Sequence, residues 1–126
     1  MDFRLDNIRI KGEELIVFDW GECSLASPGC DLAYFIITSL TKKNRRLWER
    51  TLLSTYCGTL AENGVQYGMD EILNSYRLAI PLCFYLPALV FALGNQTYGI
   101  TLAKRCLAAV NDHLIFMHEK FGLPTS

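Results

Sequence analysis

The stretch Asp2-Phe3-Arg4-Leu5-Asp6-Asn7-Ile8-Arg9-Ile10, continued by Lys11-Gly12-Glu13-Glu14 and Leu15-Ile16-Val17-Phe18-Asp19-Trp20, decides how the chain is read. Ile8 to Ile10 and Leu15 to Phe18 are short β-branched and aromatic runs, and the Gly-containing segment between them predicts a hairpin. An Asp and an Asn precede the first strand, and a second Asp closes the other. Function is therefore expected at the hairpin.

Downstream of the hairpin the periodicity changes from two residues to helical spacing. The loop Ser24-Leu25-Ala26-Ser27-Pro28-Gly29-Cys30 leads to Asp31, read as the cap of a helix with Leu32, Phe35, Ile36 and Leu40 on its apolar side. Asn44 is read as the N-cap of a second helix, with Leu47, Leu52, Leu53, Tyr56 and Leu60 on one face and Asn63-Gly64 as its stop. A third begins near Asp70 and runs through Ile72, Leu73, Tyr76 and Ile80 to stop by Gly94. A fourth, from about Ile100, carries Leu102, Cys106, Val110, Leu114, Met117 and Phe121 to Gly122. The expected fold is mainly α with a small β-hairpin, one domain over residues 1–126.

Composition narrows the partners. A net charge of -1 provides no general attraction to nucleic acid or anionic membranes. The 5 cysteines include no C-x-x-C pair, so neither a disulfide framework nor a zinc site is expected. With no apolar h-region at the N-terminus, the expected location is the cytoplasm. Leu78 to Leu93 is uncharged, but Pro81 and Pro87 interrupt it and it falls short of the roughly 20 residues a span needs, so a kinked core helix is expected; because the uncharged stretch continues to Lys104, a membrane-associated helical protein stays open as a lesser alternative.

Phosphoryl transfer needs a carboxylate to orient or deprotonate the attacking hydroxyl, and hard oxygen ligands to hold Mg²⁺ against the nucleotide phosphates. Asp2, Asn7 and Asp19 are of the right types. Several neighbours receive plainer readings: Asp6 as a turn residue, Trp20 as an apolar spacer packed under the site, Lys42 to Arg46 as a solvated basic loop, and His113 and His118 as ordinary helix residues. Gly94 to Thr101 imitates a P-loop, but Ile100 stands where Lys is required and a helix, not a strand, precedes it.

Three segments carry a resemblance: Asp2 to Ile8, Val17-Phe18-Asp19-Trp20, and Pro28-Gly29-Cys30-Asp31-Leu32-Ala33-Tyr34-Phe35. Together they resemble the C-terminal lobe of the aminoglycoside phosphotransferase and choline kinase-like superfamily. The D-L-A-Y-F ending and the R-R-x-x-E-R-x-L-L-x-x-Y pattern from Arg45 to Tyr56 are similar to its ecdysteroid kinase-like branch. The resemblance spans roughly the first two-thirds of the chain. It implies a protein kinase-like C-lobe in which Asp2 is the catalytic base, Asn7 and Asp19 are metal ligands, and Asp31 braces the catalytic loop. It further implies ATP and Mg²⁺ as cofactors and a small-molecule hydroxyl as acceptor.

The family motif is H-G-D-x-x-x-x-N, and Met1 stands where its Gly would be. The phosphate-covering loop, the strand Lys and its Glu partner of a kinase-like fold would all lie upstream. The chain is thus expected to be a C-lobe fragment without the N-terminal nucleotide-binding lobe, whose absence invites a partner or self-association. Two functions follow: an ATP-dependent phosphotransferase, or a catalytically inactive helical binding module derived from one.

Overall fold

Gly12 takes a φ of 64°, which lets strand β1 (Ile8–Lys11) reverse within two residues into β2 (Glu14–Val17). The computed structural model describes residues 3–22 and 24–124. The two strands are antiparallel, with Ile8 opposite Val17 and Ile10 opposite Leu15. Directly opposed residues share a face, so all four apolar side chains lie on one side of the ribbon. Exposure grades along the hairpin, from the half-buried Ile8 and Val17 at its base to Ile10, 76% exposed, near its tip.

A 3-10 turn, Leu5–Asn7, precedes the hairpin and another, Trp20–Glu22, follows it. Six helices come next: α1 (Gly29–Ser39), α2 (Lys42–Glu62), α3 (Met69–Ala79), α4 (Tyr85–Ala92), α5 (Gln96–Asp112) and α6 (Leu114–Phe121). The mainly helical architecture with a two-stranded hairpin matches the sequence expectation.

The third expected helix is in fact α3, a 3-10 segment Ile80–Phe84 holding Pro81, and α4. Pro81 removes a backbone donor, and the tighter turn absorbs that loss. Met69–Ala92 is long and apolar enough by length and composition to cross a membrane. It nevertheless sends Ile72, Tyr76, Ala79, Ile80, Cys83 and Leu86 into a core shared with Ile36, Ile37, Leu53, Leu102, Cys106 and Met117. The fourth expected helix starts earlier than read, because the Asn95 side chain accepts the Tyr98 amide at 3.2 Å and caps it, and it breaks at His113 into α5 and α6.

Two capping expectations are corrected. Helix α1 starts at Gly29 with Pro28 before it, so Asp31 sits within the first turn, where a carboxylate favours the helix dipole but does not cap. Helix α2 is capped by Thr41, whose Oγ1 accepts from the Asn44 amide at 3.2 Å; Asn44 is already inside the helix. The buried side of α2 also differs from the expected apolar face. Leu47 is 65% exposed, whereas Arg45 is 2% exposed and lies in line with Glu49 and Leu53 at four-residue intervals.

Candidate active site at the base of the hairpin

The loop before β1 is fastened to the helical body at three points. The Phe3 ring stacks on Phe35 of α1 with centroids 5.1 Å apart. The Leu5 amide donates to Ser39 Oγ at the end of α1 at 2.9 Å. The Tyr98 hydroxyl of α5 donates to Asp6 Oδ2 at 3.2 Å, and Arg4 Nη1 donates to the same oxygen at 2.8 Å. Burial, then the Asp6 carboxylate, pushes the Tyr98 phenol up from its ordinary range. Asp6 is thus a turn residue, as expected, and also ties the loop to α5.

This fastening fixes Asn7. It is 5% exposed, its amide donates to the Arg4 carbonyl at 2.9 Å, and its carbonyl accepts from the Phe18 amide at 3.1 Å. The last bond extends the β1–β2 ladder by one pair and sets Asn7 across from Phe18, the residue next to Asp19. Asn7 and Asp19 therefore share the base of the hairpin, where the sequence reading put them. Asp19 has a φ of 62° and is the only non-glycine among the described residues with positive φ. Such backbone costs about 1–3 kcal/mol and persists where the surroundings impose it, often at functional sites.

Asp2, read as the base, lies outside the described residues. Asp31 is exposed in the first turn of α1, and its charge contributes, after burial, to raising the phenol of Tyr56 on α2. Trp20 does not pack under the site: it is 64% exposed, and its Nε1 donates to the Val17 carbonyl at 3.1 Å. A tryptophan whose indole finds a partner on its own strand end stays on the surface. Among the described residues no group of three or more His, Cys, Asp or Glu gathers to hold a metal. The oxygen-bearing side chains at the base of the hairpin are one carboxylate, Asp19, and one amide, Asn7.

A second polar set lies between the helices. Glu49 Oε2 accepts from Arg45 Nη1 at 2.5 Å and from the Tyr76 hydroxyl at 2.7 Å, while its Oε1 lies 3.1 Å from His113 Nε2. Arg77 Nε donates to His113 Nδ1 at 3.3 Å, which leaves the His113 proton on Nε2 to bond Glu49. Asp112 takes Arg45 on one side and a two-pronged contact from Arg46 on the other, at 2.8 and 2.5 Å. Burial works to raise the Glu49 carboxyl, but hydrogen bonds from His113, Tyr76 and Arg45 outweigh it and hold it down at about 2. Arg46, then Arg45, holds Asp112 at about 2 against burial. The Lys42 to Arg46 segment is thus no solvated loop, and His113 is no ordinary helix residue. The spacing of Arg45, Arg46 and Glu49 is explained by packing of α2 against α3 and α5, away from the hairpin.

Sequence reasoning missed Ser39, Tyr98 and His113, because their partners stand 34, 92 and 64 positions away.

A family model described as "Uncharacterized oxidoreductase dhs-27" (DUF1679) matches residues 9–119. No curated protein and no solved structure matches the chain. The matched segment runs from the hairpin to α6 and takes in Asp19, the anchoring Ser39 and Tyr98, and the entire Arg45–Glu49–Asp112–His113 set. The chain belongs to the DUF1679 family, described as uncharacterized oxidoreductase dhs-27.

Proposed function

We propose that the chain is the catalytic-loop and helical lobe of a kinase-like phosphotransferase that moves a phosphoryl group from ATP to a hydroxyl of a small molecule. The observation that carries this reading is the Asn7–Phe18 backbone bond, which brings a buried Asn and a left-handed Asp19 to the same end of one hairpin. An amide oxygen and a carboxylate oxygen are hard donors suited to Mg²⁺, which keeps most of its remaining positions for water and phosphate. Bound there, Mg²⁺ would neutralise charge on the phosphates. Asn7 and Asp19 would hold it. Asp2, five residues before Asn7 in a D-x-x-x-x-N loop, would take the proton of the acceptor hydroxyl. Asp31 would brace that loop from α1. The order of these segments also favours the ecdysteroid kinase-like branch.

The family description names an oxidoreductase, and that is the competing chemistry. A dinucleotide site needs a strand leading through a glycine-rich turn into a helix beside a parallel strand. Among the described residues the only sheet is the antiparallel hairpin, and its second strand leads into a 3-10 turn. A dithiol reaction is also poorly served: burial raises the thiols of Cys83 and Cys106, the latter to about 11, and thiolate is the reactive form. The phosphotransferase reading places the chain in the cytoplasm, where ATP is supplied and thiols stay reduced.

The exposed apolar side of the hairpin, led by Ile10 and Leu15, is in this reading the seat of a nucleotide-covering lobe or of a second copy. It also gives substance to the second reading, a helical binding module without catalysis. The test separates them. Joined to a nucleotide-covering lobe, the chain should transfer phosphate from ATP to small alcohols, and Asp19→Ala should lower kcat by about 10²-fold or more. By itself it should turn over ATP no faster than Asp19→Ala, since positioning supplies most of the acceleration. Equal rates for Asp19 and Asp19→Ala in the joined form would leave only the binding module.

A further inference from the structure

We infer that the cleft between the Arg4–Asp6 turn, the end of α1 and α5 is a binding site for a small oxyanion, a phosphate or carboxylate group carried by a ligand. The cleft holds about 200 Å³ and is lined by Arg4, Leu5, Asp6, Thr38, Ser39, Tyr98 and Arg105. A pocket for a whole drug-sized molecule usually runs about 300–1,000 Å³, so this one fits a head group.

Its charge selects the sign. Asp6 is answered by Arg4 at 2.8 Å and by the Tyr98 hydroxyl. Arg105 then remains as positive charge in excess. Its Nη1 donates to the Thr38 carbonyl, and among the described residues no carboxylate pairs with it. A guanidinium carries five N–H donors in a planar fork matched to carboxylate and phosphate, and one contact with a neutral carbonyl leaves most of them available. Ser39 adds a second donor. Its Oγ accepts the Leu5 amide at 2.9 Å, which leaves its own O–H proton to give. By contrast, Thr38 already spends its hydroxyl on the Tyr34 carbonyl at 2.6 Å and supplies only its carbonyl to Arg105. One fork and one hydroxyl thus converge on a space sized for three or four oxygens.

The inference stands apart from phosphoryl transfer, because binding here requires neither ATP nor the base. The test is an amide NMR titration of the intact chain with inorganic phosphate, and separately with acetate, at constant ionic strength. Saturable shifts centred on Leu5, Ser39, Tyr98 and Arg105 are expected. Arg105→Gln should weaken phosphate about tenfold, the scale of one charged hydrogen bond. Arg105→Lys, which keeps the charge but loses the fork, should fall between, and Arg50→Gln on the exposed side of α2 should match wild type. Tighter phosphate than acetate identifies a phosphate-bearing ligand and the reverse a carboxylate-bearing one; either supports the site. Unsaturable shifts spread over the surface, shifts centred on Lys42 and Lys43, or an Arg105→Gln titration equal to wild type would overturn it. If Arg105→Gln does not fold, the wild-type map and Arg105→Lys decide alone. Failure of phosphoryl transfer would leave these titrations unchanged.

Discussion

Glu49→Ala should remove about 3–5 kcal/mol of folding stability, the scale for taking one partner from a buried ion pair. Three groups lose their acceptor at once: Arg45, 2% exposed; the hydroxyl of Tyr76, 0% exposed; and His113 Nε2. Asp112 still holds Arg45, but nothing among the described residues replaces Glu49 for Tyr76, and an orphaned buried hydroxyl costs about 1–3 kcal/mol by itself. Urea unfolding followed by circular dichroism measures the loss. A change below about 1 kcal/mol would show that the set behaves like a surface pair. The same residues set the acid limit. The Glu49 and Asp112 carboxyls sit at about 2 when folded, below their ordinary 4.5 and 3.8. Their stabilisation is therefore complete above the ordinary carboxylate range and is lost as pH falls from there through about 2. In Glu49→Ala that acid slope should be shallower.

Gly29→Ala should destabilise the protein by on the order of 3 kcal/mol, although alanine is the better helix former by about 1 kcal/mol. A Cβ on Gly29 would come well within 3.0 Å of the Tyr76 nitrogen and the Ser75 carbonyl carbon, both backbone atoms of α3 that no side-chain rotation can move. Helix α1 would have to lift from α3. That movement would also break the bond from the Gly29 amide to Ser75 Oγ, 2.8 Å long, which serves as the cap that α1 does not receive from its own N-cap residue, Pro28. The sign makes the test decisive. A thermal midpoint unchanged or raised in Gly29→Ala would mean that the two helices do not approach this closely.

Local chemistry made part of this legible in the sequence. Two β-branched runs around a Gly-containing turn fixed the hairpin, and Asn63-Gly64 marked the end of α2, because each depends on neighbours in the chain. The side of α2 that faces inward was not legible. Leu47 looked like a core residue and Arg45 like a surface one, and only Glu49, Asp112 and the close approach of α5 reverse the two. Trp20 failed for a similar reason, since its indole bonds to Val17 and not to the body. At the candidate site, the order of Asn7 and Asp19 along the hairpin was readable from spacing. The anchors that hold the loop, Phe35, Ser39 and Tyr98, belong to distant helices and carry no local signature.

Asn7 and Asp19 are proposed to form one cation site at the base of the hairpin. Mn²⁺, a paramagnetic stand-in for Mg²⁺, added in trace amounts with ATP to the intact chain, tests it through broadening of amide signals. The amides of Asn7, Phe18 and Asp19 should broaden first, excess Mg²⁺ should reverse the effect, and Asp19→Ala should abolish it. Broadening centred instead on Glu13 and Glu14 at the hairpin tip, or undiminished in Asp19→Ala, would contradict it.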